Sequence, residues 1–441
     1  MLIHRDDGYV ESNLRRIAEK ARKTPDFKFT SLFHLMNMEL LRGCYDELRS
    51  AASSGIDGVT KVQYDEHLEA NLEGLLSRLH QMTYFPQPVR RVYIPKAGSD
   101  KLRPLGIPVL EDKLVQAGLV KILEQIYEAD FVDESYGFRP ERGCHDALRA
   151  LSRVVENQSV NFIVEADIKG FFDNVDQDQL MLFLAHRIGD KRVLRYIRRI
   201  LKAGISEDGA FQPSERGTPQ GGVISPLLAN IYLHYSLDLW MTKKFARTCW
   251  GTAKLVRYAD DYVVCFSHER EAKQFRTEME ERLHKFGLEV APEKTLCVEF
   301  GKYAVQRAKL RGEKAATFDF LGFTHYCSKS RNGNRFRMKR KTAVKKFVAK
   351  LKVFKEWLNS NKTLHVSQIM KLTASKLRGH YQYYGVTDNT RSLVRFYKGV
   401  CCALKKWLGR RGDASKGTWQ NLTLLLTHFA LPKPRIMVNL F

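Results

Sequence analysis

Two adjacent acids, Asp260 and Asp261, lie in the segment LVRYADDYVVCF between two apolar runs. This pattern predicts a β-hairpin with both acids at its tip, a poor choice for a turn that normally prefers Asn-Gly or Asp-Gly. Carboxylates held side by side in partly dry surroundings repel each other unless a cation neutralises them. A second apolar run, residues 163–166, ends in Asp167. If the two strands are neighbours, three carboxylates meet; the alternative is an exposed, solvated acidic turn.

Three such carboxylates would favour a particular chemistry. Hard oxygen ligands suit Mg²⁺, with Mn²⁺ as a substitute. Three carboxylates can hold two ions about 4 Å apart, which would activate a hydroxyl and stabilise a departing pyrophosphate. We therefore predict that Asp167, Asp260 and Asp261 are metal ligands and catalytic residues of nucleotidyl transfer.

Neighbouring segments fit the same chemistry. Lys96 and Arg103 offer cations for a triphosphate, although single basic residues are more often plain surface. The segment TPQGG, residues 218–222, is a glycine turn before a helix, where Gln220 and the backbone could approach a nucleotide. Phe172 could lie under the sugar and exclude a 2′-hydroxyl; the alternative for this ring is core packing.

The basic charge is concentrated at one end of the chain. The net charge is +24, and residues 301–441 hold 31 Lys and Arg against 5 Asp and Glu. The first 300 residues are nearly balanced, with 42 basic and 44 acidic side chains. Such a surplus favours nucleic acid as the partner over a merely solvated surface or an anionic membrane.

Composition bounds the remaining possibilities. The 441 residues are 44% hydrophobic, which predicts a globular protein of two to four structural units. No apolar run is long enough for a membrane span, and the charged start is not a secretory signal. Eight dispersed cysteines are read as free thiols in a reducing cytosol.

The hydrophobic periodicity predicts an α+β layout with short antiparallel strands. Helices are expected within residues 30–80 and over 109–128, 144–157, 177–204, 225–240 and 269–286. Residues 90–108 and the YADD segment read as hairpins, 161–168 as a buried strand, and 287–327 as short strands. Ser225 is expected to cap its helix. From Lys339 onward the chain is expected to be helical and basic.

Taken in order, these segments resemble the reverse transcriptases of bacterial group II introns. The segments are GIDGV, VYIPK with LRPLGIP, YGFRPERGCHDAL, ADIKGFFD, GTPQGGVISPLLANIYL, RYADDYVV and FLGF, over roughly residues 50–325. Two later segments, LRGHYQYYGVTDN and FALPKPRI, resemble that family's thumb and maturase region more loosely.

The resemblance implies a right-hand polymerase. It implies an N-terminal extension and the start of the fingers over residues 1–85, fingers and palm over 86–330, and a helical basic thumb or maturase region over 331–441. An RNA-directed DNA polymerase is implied, which binds an RNA template, a DNA primer and deoxynucleotides. Intron RNA and target DNA are the further partners, in the bacterial cytosol near the nucleoid, with no membrane partner. The oligomeric state stays open.

Individual residues take roles through the same resemblance. It implies Mg²⁺ binding by the three aspartates, with the backbone carbonyl of Ile168 as a further ligand. Nucleotide contacts are implied for Lys96, Arg103, Phe172 and Gln220. Leu321, Gly322 and Phe323 match the primer-grip turn. Template or RNA contacts are implied for Arg139, Lys339, Arg340, Lys345 and Lys346.

One departure and two alternatives accompany this interpretation. The chain ends five residues after PRI, so no HNH endonuclease segment is expected, and the primer would come from elsewhere. The protein could instead be mainly an RNA-binding splicing cofactor, or a related reverse transcriptase recruited to host DNA repair or phage defence. The aromatic cluster of residues 381–407 is interpreted as core packing in preference to stacking on RNA.

Overall fold

The computed structural model describes residues 8–95, 102–219, 221–330, 332–333, 335–410 and 418–440. Its helices are α1 Tyr9–Lys23, α2 Met38–Glu47, α3 Lys61–Asp65, α4 Leu68–His80, α5 Leu110–Asp130, α6 Cys144–Asn157, α7 Phe171–Asn174, α8 Gln177–Arg187, α9 Lys191–Lys202, α10 Ser225–Leu233, α11 Ala246–Thr248, α12 Glu269–Lys285, α13 Ala304–Leu310, α14 Val344–Ser360, α15 Val366–Tyr384, α16 Thr390–Gly409 and α17 Trp419–His428. Short 3₁₀ turns cover Phe33–Leu35 and Pro292–Lys294. Two π-helical stretches, His234–Asp238 and Trp240–Phe245, join α10 to α11.

The strands form three antiparallel or mixed sheets within the described ranges. They are β1 Val89–Pro95, β2 Leu102–Ile107, β3 Phe162–Asp167, β4 Ile205–Glu207, β5 Ala210–Gln212, β6 Ala253–Tyr258, β7 Asp261–Phe266, β8 Leu296–Glu299, β9 Thr317–Phe320, β10 Phe323–Lys329 and β11 Phe336–Thr342. The central sheet has the order β6-β7-β3-β8, and β11-β10-β9 and β2-β1-β4-β5 form the others. The predicted α+β class is confirmed, as are both hairpins.

The central sheet separates two hydrophobic cores. On one face, Val164, Tyr262 and Val264 join the core built with the N-terminal helices, α5, α8–α10 and α12. On the other face, Val263 and Cys265 join the core built with α6 and the C-terminal helices. Because side chains alternate along a strand, a sheet buried on both faces reads as a continuous apolar run. That is why both strands were recognisable in the sequence.

The predicted helix over residues 177–204 is in fact two helices, α8 and α9. The break falls at residues 188–190, where the Asp190 carboxylate accepts hydrogen bonds from the amides of Arg192 and Val193 and so caps α9. The other carboxylate oxygen accepts the amides of Leu32 and Phe33, each at 2.8 Å. Two chain segments thus share one capping acid, which a local hydrophobic pattern does not reveal.

Two further expectations were wrong in detail. Ser225 does not cap α10: the N-cap is Ile224, and the Ser225 hydroxyl donates to the Pro219 carbonyl at 2.8 Å. The chain from Lys339 is not yet helical, because β11 pairs with β10 along its whole length and α14 begins at Val344. The β11-β10-β9 sheet therefore spans the expected boundary at residue 330, since β10 ends before that residue and β11 begins after it.

Aromatic side chains pack in the core of the C-terminal helices α14–α17, as predicted. Tyr381, Tyr384, Phe396 and Trp407 are all buried. No helix in the described ranges is long and apolar enough to cross a membrane. All eight cysteines lie in those ranges and are free thiols.

Candidate active site

The three predicted acids come together at one end of the central sheet. Strands β3 and β7 are antiparallel neighbours, and their register pairs Asp167 directly with Asp261. Directly opposed residues in an antiparallel pair share a face, with Cβ atoms about 5 Å apart. The same register pairs Ile163 with Cys265, so this face is the one that meets the core of the C-terminal helices.

The hairpin tip differs from the expectation by one residue. Tyr258 pairs with Asp261, so the two-residue turn is Ala259-Asp260, and Asp261 already belongs to β7. Ala259 has a φ of +57°, a left-handed conformation that a non-glycine residue adopts only when its surroundings hold it there. The two acids are therefore not equivalent: Asp260 projects from the turn, and Asp261 lies in the ladder beside Asp167.

Burial and mutual repulsion shape the ionisation of this site. Burial, together with the neighbouring charges of Asp260 and Asp167, raises the pKa of the Asp261 carboxyl to about 7. The Leu321 amide and Lys346 oppose this rise. Burial likewise raises the pKa of Asp260, which Asp167 reinforces and Arg103 and Arg257 oppose.

A fourth carboxylate on the same face, Glu165, was not predicted. It lies two residues before Asp167 on β3, opposite Val263. Its carboxylate accepts the Asp319 amide at 3.3 Å. Burial raises the pKa of Glu165 to about 7, with smaller contributions from the nearby acids Asp261, Asp319 and Asp167. The alternation in VEAD could have revealed this residue, because Glu165 and Asp167 must share a face.

The turn is held by a buried arginine that sequence reasoning also missed. Arg257 is fully buried, and its guanidinium pairs with both carboxylate oxygens of Asp238, at 2.7 and 2.6 Å. The same group donates to the Ala259 carbonyl at 2.9 Å and to the Asn230 side chain at 3.0 Å. Arg257 also donates to the Ser135 hydroxyl at 2.7 Å. These hydrogen bonds of Arg257 hold the turn at Ala259, whose backbone is strained.

A signal for this network was present in the sequence. Asp238 falls on the apolar stripe of the helix that begins at Ser225, and Arg257 lies inside an otherwise apolar strand. Two opposite charges at positions that must be buried are expected to pair, because an isolated buried charge is costly.

The carboxylate oxygens suit a divalent cation, but the protein alone does not supply a complete coordination shell. Carboxylate oxygens are the ligands that hard cations prefer. Within the part of the chain that the structure describes, no three His, Cys, Asp or Glu side chains are gathered as a ready-made metal site. The repulsion that raises the pKa values of Asp260 and Asp261 is nevertheless what a bound cation would relieve. The residues therefore fit an ion whose remaining ligands come from substrate or water.

The predicted nucleotide pocket is described only in part. Arg103 lies on the exposed end of β2, near enough to lower the pKa of Asp260. Phe172 is partly exposed on α7, and its carbonyl accepts the Thr218 amide at 2.8 Å. Lys96 and Gln220 lie outside the described residues.

A glycine explains the close approach of the TPQGG loop to β2. Gly221 has a φ of +106°, and a Cβ there would lie 2.3 Å from the Gly106 carbonyl oxygen. At Gly221 the chain is therefore fitted against the strand that carries Arg103.

The predicted primer-grip turn lies beside the acids. Leu321 and Gly322 form the two-residue turn between β9 and β10, with φ values of +50° and +78°. Phe323 begins β10 and is fully buried, so it has a packing role in this structure. The Leu321 amide lies near enough to the Asp261 carboxylate to lower its pKa.

Two predicted template contacts are contradicted by burial. The Arg139 guanidinium forms a two-pronged pair with Glu128 and donates to the carbonyls of Val132 and Ser135, so its donors are engaged inside the protein. Arg340 is fully buried on β11 and donates to the Ser152 hydroxyl. Neither side chain is available to a nucleic acid.

The other predicted basic contacts remain accessible. Lys345 and Lys346 are exposed on the first turn of α14, and Lys339 is partly exposed on β11. Lys346 is also near enough to Asp261 to lower its pKa. The exposed start of α14 thus adjoins the acidic site.

Comparison with known proteins gives a consistent result. The family model for reverse transcriptases, described as RNA-dependent DNA polymerases, matches residues 94–325. The chain is 42% identical to the group II intron-encoded protein LtrA of Lactococcus lactis subsp. cremoris over 238 residues, 53% of this chain and 39% of LtrA. It is 35% identical to protein YkfC of Escherichia coli (strain K12) over 282 residues, 57% of this chain and 74% of YkfC.

A more distant match is nuclear intron maturase 2, mitochondrial, of Arabidopsis thaliana, at 27% identity over 231 residues, 44% of this chain and 30% of that protein. The match covers well under half the length of LtrA.

Proposed function

Because this chain belongs to the reverse transcriptase family, we propose that it is an RNA-directed DNA polymerase of the group II intron type. It extends a DNA primer on an RNA template with deoxynucleotides. The observation that carries the proposal is the direct pairing of Asp167 with Asp261, with Asp260 on the adjoining turn. Three acids at one strand end have no stabilising role of their own, since burial and repulsion raise the pKa values of Asp260 and Asp261.

Reverse transcriptases use divalent metal ions, and the acids here have the matching oxygen chemistry. We propose Mg²⁺ as the ion, two per site, with Mn²⁺ as a substitute. Asp167, Asp260 and Asp261 would hold it, with the Ile168 carbonyl as a further ligand. When bound, such ions lower the pKa of the primer hydroxyl and neutralise charge on the phosphates. The carboxylates position the reacting groups on one face of the sheet.

The nucleotide would lie between the acids and the exposed end of β2. Arg103 would neutralise the triphosphate, and Lys96 and Gln220 are proposed as further contacts. Phe172 is proposed to lie under the sugar. The Thr218 amide donates to the Phe172 carbonyl, which fixes the backbone that carries this partly exposed ring.

The template–primer duplex would lie against the exposed start of α14. Lys345, Lys346 and Lys339 are proposed to contact phosphates, and the turn at residues 321–322 to contact the primer end. The surplus of basic residues over 301–441 supports this orientation. The burial of Arg139 and Arg340 argues against these roles for them.

Primer extension tests the polymerase directly. We would supply Mg²⁺, the four deoxynucleotides and a primed RNA template to the wild type, Asp260→Ala and Asp178→Ala. Asp178 is an exposed acid on α8 and serves as the matched control. Extension lost only in Asp260→Ala supports the proposal. A wild type that binds the RNA tightly but adds no deoxynucleotide would overturn it.

A second function, assistance in splicing of an intron RNA, is proposed alongside the polymerase. It is favoured by the basic last third and by the relatives, which are named as an intron-encoded protein and an intron maturase. Intron RNA and target DNA would then be partners in a bacterial cytosol. A cell-free splicing reaction with the cognate intron at low Mg²⁺ tests it. No gain in splicing rate from the protein would count against this role.

A further inference from the structure

One face of α16 carries basic side chains from its first turn to its end. Exposed residues recur there at spacings of three or four: Arg391, Arg395, Lys398, Cys402, Lys406 and, at the C-cap, Arg410. Residues three and four apart lie on the same face of a helix, so these side chains form a single row. We call it the α16 stripe, which is about 28 Å long at 1.5 Å per residue.

The charge of the α16 stripe is not balanced by neighbouring acids. Helices α14–α17 contain one acid, Glu356, which pairs with Lys352 on α14 at 3.9 Å. Within the residues that the structure describes, no carboxylate forms an ion pair with the stripe. Like charges at these spacings destabilise a helix, and a polyanion would relieve that repulsion.

A groove runs beside the stripe, between α16 and α14. Gly399 allows the two helices to approach closely, because a Cβ there would lie 2.9 Å from the Leu351 side chain. From this contact a cavity of about 330 Å³ extends towards the C-terminal ends of both helices. Its lining is apolar and buried at the floor, and basic and exposed at the rim: Leu358, Ala403 and Trp407 form the floor, and Lys355, Lys406 and Arg410 the rim.

The groove lies on a different side of α14 from the proposed duplex contacts. Lys355, at the rim, follows Lys346 by nine residues, which is about two and a half turns of an α-helix. The two side chains therefore project from opposite sides of α14. A duplex held at Lys346 does not need the groove, so both can be occupied at once.

An unpaired RNA segment matches both the groove and the stripe. Unpaired bases can leave the stack and pack against apolar and aromatic walls, while basic side chains hold the phosphates. A fully paired helix presents phosphates to a basic stripe but has no free base to enter a groove. The apolar floor therefore favours unpaired nucleotides as the ligand.

We propose that the groove between α14 and α16, together with the α16 stripe, forms a second RNA-binding site. It takes an unpaired base in the groove and the neighbouring phosphates on the stripe. The inference rests on the proposed splicing role, which makes intron RNA a partner. It gives that RNA a site of its own, apart from the template–primer duplex.

Binding is tested on the full chain with the proposed duplex site already filled. Wild type and variants are saturated with an unlabelled primer–template duplex, and a labelled oligouridine RNA is titrated in at several salt concentrations. Lys398→Gln/Lys406→Gln removes two charges of the stripe. Lys243→Gln/Lys244→Gln removes two exposed charges before α11 and is the matched control. An RNA duplex of equal length and oligothymidine DNA serve as competitors.

Loss of two phosphate contacts should lower the slope of log affinity against log salt by about 1.4 and weaken oligouridine binding roughly tenfold at physiological salt. The control variant should bind as the wild type does. Equal affinity of the two variants would overturn the inference, as would an RNA duplex that competes as well as unlabelled oligouridine. Oligothymidine that competes equally well would assign the groove to unpaired DNA and so overturn the assignment to RNA.

Cys402 reports on the groove itself. It is the one exposed thiol among the eight cysteines, all of which lie in the described ranges. Oligouridine should protect Cys402 of the duplex-loaded protein from N-ethylmaleimide, measured by mass spectrometry. The partly exposed Cys249 should react at the same rate with and without RNA. Equal modification of Cys402 with and without RNA would contradict the placement of a base in the groove.

Failure of the proposed functions gives a different result. Primer extension by Lys398→Gln/Lys406→Gln should match the wild type, and the gain in splicing rate should be lost. Loss of primer extension in this variant would place the stripe in the duplex site and overturn the inference. If the wild type does not accelerate splicing, the splicing role fails, and the binding and protection measurements still decide whether the groove holds RNA.

Discussion

Asp167 and Asp261 stand directly opposite each other on antiparallel strands, on the face of the central sheet that meets the C-terminal helices. Like charges in directly opposed positions destabilise a sheet. Asp260, on the adjoining turn, adds a third charge, and burial raises the pKa of both hairpin acids. A protein that keeps this arrangement sacrifices stability at the site, which is the expected signature of function.

Replacing Asp261 by Asn should therefore separate stability from activity. We expect polymerase activity to fall by at least about a thousandfold, because a ligand of the charge-stabilising site is lost. In metal-free buffer at pH 8 the same variant should be more stable than the wild type, by about 1 kcal/mol, because one buried like charge is removed. Primer extension and urea denaturation measure the two effects. Loss of both activity and stability would argue for a structural role.

The metal requirement should depend on pH. The folded, metal-free protein has a pKa of about 7 at Asp261, raised from the ordinary 3.8, so this carboxyl keeps its proton over a window from about pH 4 to pH 7. Proton and metal then compete, and the Mg²⁺ concentration for half-maximal extension should fall as pH rises from 6 towards 7, by up to about tenfold per unit.

The same pKa shift sets the direction in which the stability of the metal-free fold changes with pH. Because the pKa of Asp261 is raised in the folded protein, this carboxyl stabilises the metal-free fold most at pH values below its pKa in the unfolded chain. That contribution to stability is lost as the pH rises through about 7. Mg²⁺ titrations of primer extension at pH 6, 7 and 8 measure the metal requirement. Unfolding of the metal-free protein at the same pH values measures stability, with Asp261→Asn as the control. A Mg²⁺ requirement that is the same at all three pH values would contradict the assignment.

The buried pair of Arg257 and Asp238 should be sensitive to the loss of either partner. Arg257→Met leaves the Asp238 carboxylate buried without its cation and releases the Ala259 carbonyl. We expect a loss of about 3–5 kcal/mol in the free energy of unfolding. The double variant Arg257→Met/Asp238→Leu should recover much of this stability but not activity, because the turn stays unanchored. Full activity in the double variant would show that the anchor is dispensable.

Phe172 should decide the choice of sugar. Phe172→Ala removes the ring proposed to lie under the nucleotide and should admit ribonucleotides, with a fall in the preference for deoxynucleotides of about tenfold or more. Phe172→Tyr keeps the ring and is the matched control. Incorporation ratios from single-nucleotide extension give the result. Unchanged discrimination in Phe172→Ala would remove this residue from the pocket.

Exposed and buried basic residues should respond differently to salt. Lys345→Gln should weaken binding of the primer–template duplex and reduce the slope of log affinity against log salt by about 1. Arg340→Met should leave the slope unchanged, since Arg340 is fully buried and bonded to Ser152. Binding titrations between about 50 and 200 mM salt compare the two. A slope that changes equally in both variants would place Arg340 at the interface after all.

The sequence by itself determined the elements and the three acids. Apolar runs buried on both faces made β3 and β7 recognisable, and acids at the ends of such runs marked Asp167, Asp260 and Asp261. The α+β class, the two hairpins and the aromatic core of the C-terminal helices follow from local periodicity, which needs no knowledge of distant contacts. The resemblance of the ordered motifs added the family.

Only the tertiary structure decided which charged side chains face water. Arg139 and Arg340 look like their exposed neighbours in sequence, yet both are buried. Arg139 pairs with Glu128 of α5, and Arg340 donates to Ser152 of α6. The pairing of Arg257 with Asp238, the register of Asp167 with Asp261 and the bond from Tyr383 to Leu321 join segments 19 to 94 residues apart. Contacts at such separations depend on how the strands and helices pack, which no local pattern encodes.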